Sequence, residues 1–168
     1  MKLEVSNPIE DGRDRGEGRS KEAMRKAMHL LMNRDRSEQE LRDRLAQAGF
    51  EEPETEEALA YVKSYGYVND RRYAENYVIS AGGKKSRRML RSFLEEKGVA
   101  DDLIEAALDQ LPEDETELVT GLLLKKAGPP HSMEEKELRR VFAYLARKGF
   151  ASSDIWRALR EYQAGGLG

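Results

Sequence analysis

Cysteine is absent from this chain, and with it go disulfides, thiolate nucleophiles and sulfur-ligated metal sites. Histidine is nearly absent: His29 and His131 are the only two, and neither has a partner at metal-ligand spacing such as H-x-x-x-H. Both are read as ordinary structural residues. No apolar run approaches the roughly 20 residues that span a bilayer, and the N-terminus lacks the apolar core of a signal peptide. A cytoplasmic protein without a membrane partner is expected. No G-x-x-x-x-G-K-[ST] loop occurs; Gly82-Gly83-Lys84-Lys85-Ser86 is too short for one, though such a turn can offer amides and lysines to a single phosphate. Paired acids such as Asp101-Asp102 and Glu56-Glu57 suit helix N-termini, where they complement the dipole. Nothing here supports an active site, so the expectation is no enzyme, no cofactor and no metal.

Charge is plentiful by contrast, at 36% of the 168 residues, against 39% apolar. That balance suits small helical units, each helix burying one stripe. The net charge of −3 conceals blocks. Residues Met1 to Gly66 carry −3, Tyr67 to Val99 +4, Ala100 to Thr120 −8, and Gly121 to Gly168 +4. A chain whose main partner is free duplex DNA would be basic overall. Alternating blocks better fit a charged protein or nucleoprotein surface.

An internal repeat organises the rest. SEQELRDRLAQAGF, SRRMLRSFLEEKGV and EKELRRVFAYLARKGF align on Gly49, Gly98 and Gly149, which stand 49 and 51 residues apart. Eight residues before each glycine is an apolar residue (Leu41, Leu90, Val141), and four before is a leucine (Leu45, Leu94, Leu145). An Ala-Leu pair follows each: Ala58-Leu59, Ala107-Leu108 and Ala158-Leu159. A period near fifty indicates stacked helical units.

The pattern predicts nine helices in three sets. The first set opens near Ser20. It continues from a Ser37-Glu40 capping box to Gly49, then from Pro53 to Gly66. The second runs over 70–81, 86–97 and 101–111. The third starts at Asp114, with Glu117 completing a capping box. It breaks at Gly128-Pro129-Pro130, restarts at Ser132 with Glu135, and its last helix opens at Ser152 or Ser153. Residues 1–19 are read as a flexible tail, with a short strand over Lys2 to Ser6, and 164–168 as a flexible end. The expected units are 20–66, 67–112 and 113–163.

Each middle helix also carries a basic face. Counting back from the glycine, position −13 holds Arg36, Lys85 and Lys136, position −10 holds Gln39, Arg88 and Arg139, and position −7 holds Arg42, Arg91 and Phe142. At about 100° per residue these centre well away from the leucines, so they are expected to face outward. Lys84, Arg87 and Arg140 add charge beside them. The cluster Tyr61, Tyr65, Tyr67, Tyr73 and Tyr77 is read as packing between repeats rather than a base-stacking row, and Trp156 as core.

The block Gly66-Tyr67-Val68-Asn69-Asp70, then Arg72-Tyr73-Ala74, Gly83, Leu90, Leu94, Lys97-Gly98-Val99, Ile104 and Ala107-Leu108, resembles the central repeat of the RecX family of recombination regulators. LRDRLAQAGF and YLARKGF fit its flanking repeats, and the resemblance covers roughly Ser20 to Tyr162. It implies an all-α, elongated and curved array of three tandem three-helix repeats. It further implies a protein that binds the RecA recombinase filament, lowers its ATPase, strand-exchange and co-protease activities, and does no covalent chemistry; a monomer is expected, since the sequence suggests no extra apolar face. Arg36, Arg42, Lys84, Lys85, Arg87, Arg88, Arg91, Lys136, Arg139 and Arg140 are the expected partner-binding residues, toward RecA or toward DNA phosphate. Single- or double-stranded DNA is a weaker expected partner, since the whole chain is mildly acidic. A direct DNA-binding repeat protein and a general helical adaptor are the two alternatives.

Overall fold

A computed structural model describes residues 8–165, with side chains from residue 16 onward. Among the described residues there are nine helices and no strand: α1 (Pro8–Asn33), α2 (Glu38–Gln47), α3 (Glu52–Ser64), α4 (Asp70–Ala81), α5 (Arg87–Glu96), α6 (Asp101–Leu108), α7 (Thr116–Ala127), α8 (Glu135–Arg147) and α9 (Ser152–Gln163). They follow one another as three tandem three-helix sets. None is long and apolar enough to cross a membrane.

The helix starts show where local chemistry departs from the expected caps. Ser37 caps α2 as predicted, its Oγ accepting from the Glu40 amide. Glu40 does not reach back, because its carboxylate is drawn to Arg34 and Lys97. A reciprocal capping box forms instead on α3, between Glu51 and Glu54. At α7 the expected Asp114-Glu117 box is replaced by a shorter turn in which Asp114 accepts from both the amide and the hydroxyl of Thr116. The N-cap of α8 is Glu134 and not Ser132, and that of α9 is Ala151.

At the N-terminus the first helix starts earlier than the expected opening near Ser20. Helix α1 begins at Pro8, well before Ser20. Arg19 explains the order at its own position: its guanidinium pairs with Glu54, donates to the Gly49 carbonyl at 2.8 Å and lies over the Phe50 ring. The strand expected over Lys2 to Ser6, and residues 166–168 of the flexible end, lie outside the described residues.

Two compact units divide the chain. The first comprises residues up to Tyr73 together with Lys97–Val99. Its core gathers Ala23, Ala27 and Leu30 of α1, Leu41 and Leu45 of α2, and Ala58, Leu59 and Val62 of α3. The second comprises Ala74–Glu96 and the chain from Ala100 onward. There Val119 and Leu123 of α7, Val141 and Leu145 of α8, and Ile155, Leu159 and Tyr162 of α9 make one apolar cluster. Leu90 and Leu94 of α5 are fully buried as well. Tyr162 closes the carboxyl end of α7, its hydroxyl lying 2.9 and 2.8 Å from the carbonyls of Gly128 and Pro129. Every leucine or valine used to align the repeats is buried, which is what a 3.6-residue period with a glycine stop requires.

Candidate partner-binding surface

The aligning glycines have a second role beside ending helices. All three lie in the left-handed region, at φ +94°, +74° and +92° for Gly49, Gly98 and Gly149. A Cβ on Gly98 would stand 2.5 Å from the Cβ of Gln39, and one on Gly149 would stand 2.4 Å from Ser86 Oγ and 2.9 Å from Met89 Cβ. So in each unit a glycine turn is pressed against the start of a middle helix. Hydrogen bonds follow the same plan: Ser37 Oγ donates to the Lys97 carbonyl at 2.6 Å, and the Ser86 amide donates to the Lys148 carbonyl at 2.9 Å. Gly49 differs, with open space where its Cβ would be; its carbonyl is held by Arg19.

This docking decides the fate of the basic face. Arg88 reaches the Gly149 carbonyl at 3.1 Å, so it serves the joint although its flank remains solvent-exposed. Arg87 turns inward and one of its amino groups donates to the carbonyls of Leu108 at 2.7 Å and Leu111 at 3.0 Å, closing the end of α6. Arg91 pairs with Glu105 of α6 at 2.5 Å. In the first unit Arg36 is not outward at all. It is 4% exposed, and its Nε donates to the Leu30 carbonyl. Lost hydration, then the like charge of Arg34, lowers its proton affinity below the ordinary guanidinium value. Arg42 bridges Glu56 at 2.9 Å and Glu38 at 3.5 Å, and the hydrogen bond it donates to Glu56 raises its proton affinity.

What remains open on the surface is narrower than the predicted stripe. Lys84, Lys136, Arg139 and Arg140 are exposed, with Arg139 paired to Glu135 one turn earlier on α8. Lys85 is half-buried at the mouth of a cavity of about 320 Å³ whose walls include Gly82, Arg87 and Leu111. Asp114, Glu115 and Glu117 line the same cavity, and three carboxylates there oppose the single-phosphate role considered for the Gly82-Gly83-Lys84-Lys85 turn. Burial raises the Glu115 carboxyl above the ordinary range against the pull of Arg87, and one of its oxygens has no hydrogen-bond partner.

The aromatic expectations divide. Tyr73 is buried and Tyr77 stacks on Phe93 at 4.0 Å, as packing residues should. Tyr61, Tyr65 and Tyr67 are instead exposed, at 39%, 61% and 45%. Trp156 is also 41% exposed, lying against Phe142 at 4.9 Å rather than filling the core. His131 sits between Glu137, 2.8 Å from Nε2, and the Pro129 carbonyl, 2.9 Å from Nδ1; the Pro129 contact first and Glu137 second raise its pKa. His29 is exposed on α1. Among the described residues no cluster of potential ligands is arranged for a metal ion.

Three tandem three-helix sets, with glycine turns set against the starts of middle helices, define a helical-repeat protein. Comparison with known proteins agrees. Profiles of the first, second and third three-helix domains of RecX match residues 23–61, 69–108 and 113–159. The regulatory protein RecX of Vibrio vulnificus (strain CMCP6) is 32% identical over 136 residues, covering 80% of this chain and 89% of that protein. That of Amycolatopsis mediterranei (strain U-32) is 35% identical over 156 residues, covering 88% and 89%. In fold, the crystal structure of RecX from Lactobacillus salivarius superposes with a TM-score of 0.68 over 88% of this chain and 98% of that one, at 22% identity. The chain belongs to the RecX family of regulatory proteins.

Proposed function

We propose that this protein is a non-enzymatic regulator that binds the RecA nucleoprotein filament and lowers its ATPase, strand-exchange and co-protease activities. The observation that carries the reading is the match of all three RecX domains in order along the chain. Its contacts come from the cations that the fold leaves exposed, Lys84 with Lys136, Arg140 and the Glu135-paired Arg139, assisted by Arg42 and Lys85. Arg36, Arg87 and Arg88 act instead as structural residues. Each exposed cation contributes little alone, about 0.2–1 kcal/mol, so affinity arises from several acting together. The test is DNA-dependent ATP hydrolysis by RecA on single-stranded DNA, titrated with this protein at substoichiometric ratios. A progressive fall in hydrolysis is the expected result. Unchanged hydrolysis with a folded protein, at low salt and at excess over RecA, would overturn it.

A further inference from the structure

Among the described residues, a partly exposed apolar surface lies on the α1–α3 face of the first unit, where Met24, Met28 and Leu31 pack against the core at its edge. Met24, Met28, Leu31 and Met32 recur along α1 at i, i+4, i+7 and i+8, a stripe of about 12 Å. This stripe borders the one that packs Ala23, Ala27 and Leu30 into the core. Met32 is 83% exposed. Two grooves, of about 390 and 400 Å³, run beside the stripe and share Met28 and Met32. Tyr61 walls one and Tyr67 the other. Tyr65 leans on Tyr61 at 5.1 Å and stacks on Tyr67 at 5.6 Å with ring planes 13° apart, while Arg72 holds the carbonyls of Gly66 and Tyr67. The tyrosine wall is thus built rather than floppy.

The geometry points to a docking site for an acidic amphipathic helix of a partner protein. An apolar stripe two turns long, with a groove along each side, matches the anchors of one helix face. Flexible thioethers suit a surface that must mould itself to such anchors. Charge fixes the flanks of the occupant. Lys21, Arg25 and His29 rim one groove and Arg72 the other, and among the described residues no carboxylate lines either. A helix with Glu or Asp beside its apolar face meets attraction along both edges; a basic one meets repulsion. Single-stranded nucleic acid fits less well. Tyr65 and Tyr67 already cover each other's faces, and methionine offers no ring on which a base can stack.

The site stands apart from the filament reading and is tested without RecA. The full chain carries isotope-labelled methionine methyl groups, and is titrated with a helix-stabilised synthetic peptide of about 16 residues, leucine on one face and glutamate beside it. The expected result is movement of the Met24, Met28 and Met32 signals while Met89 and Met133 hold still. A lysine-for-glutamate control peptide should leave all of them unmoved. Arg25→Glu combined with Met32→Glu, both at exposed positions, should weaken the acidic peptide by about tenfold or more with the circular dichroism spectrum unchanged. Three results would overturn the proposal. One is equal response to both peptides; another is no response to either. The third is movement of the same methyls by an oligothymidylate or by raising the protein's own concentration, which would assign the surface to nucleic acid or to a second copy.

Discussion

Helices α5 and α8 lie in the same unit and each carries a basic face ahead of its glycine, with Arg88 and Arg139 in register, yet the two faces are used differently. On α5 the cations each hold another segment of the protein: Arg87 the carbonyls ending α6, Arg88 the Gly149 carbonyl, Arg91 the Glu105 carboxylate. On α8, Lys136, Arg139 and Arg140 stay exposed. The difference follows from repeat position. The start of α5 receives the Lys148-Gly149 turn of the next set. No further set follows α8 among the described residues, and its equivalent of Ser86 is Glu137, which binds His131 instead. Terminal members of a repeat array are expected to depart from the inner ones in this way. Among the described residues, one sequence pattern therefore forms a joint at α5 and an exposed surface at α8.

Gly149 offers the sharpest way to break that contrast. Gly149→Ala must hold an alanine in the left-handed region and force its Cβ into Ser86 and Met89, a destabilisation of about 2–4 kcal/mol. Gly49→Ala has the same backbone problem with open space around it, so about 1–2 kcal/mol is expected. Urea unfolding of the two variants separates backbone strain from docking. Equal losses would mean that the close approach at Ser86 carries no energy.

Next in size is Arg87→Ala, which abandons the Leu108 and Leu111 carbonyls and removes one of the two cations near Glu115; about 1–3 kcal/mol is expected. Arg87→Lys should recover little, because the lysine ammonium ends one bond short of the Arg87 amino group that reaches both carbonyls. A lysine variant as stable as the parent would show that charge alone matters there.

Much of this fold is legible in the chain. The buried leucines before each glycine, the Ser37 cap and the glycine helix stops all depend on contacts within a few residues, where period and backbone sterics decide. Arg36 and Arg88 were not legible as structural residues. A 100° projection shows only that a side chain points away from its own helix's core, not what other segment waits there. Arg36 meets the end of α1, and Arg88 meets a turn 61 residues later. The exposed tyrosines and Trp156 went astray for a related reason: aromatic spacing reports a shared face, not whether anything covers it. The Met stripe on α1 had a readable period, but it lies beside the true core stripe and merges with it in sequence.

Glu115 supplies a smaller, pH-dependent handle on the same unit. Its folded-state pKa is raised by burial. The stability tied to its proton is therefore fully present below the unfolded carboxylate pKa and is lost as pH rises through the folded value. Glu115→Gln, neutral throughout, should be more stable than the parent at pH 7 and lose that advantage on acidification. The check is the difference in urea midpoint measured across acid to neutral pH; a difference independent of pH would discard the ionisation account.

Smallest in stability should be Lys136→Glu combined with Arg140→Glu, because both positions are exposed and neither has a partner among the described residues; a shift within about 0.5 kcal/mol is expected. That near-silence makes the pair useful. If the free cations of α8 form the contact proposed for the filament, this double variant should inhibit RecA hydrolysis less than the parent at equal concentration, with its melting curve unchanged. The matching reversal on α5, Arg88→Glu, should unfold earlier because it strips the Gly149 carbonyl of its donor. A double variant that melts like the parent and inhibits like the parent would remove α8 from the binding surface and move the search to Lys84 and Arg42.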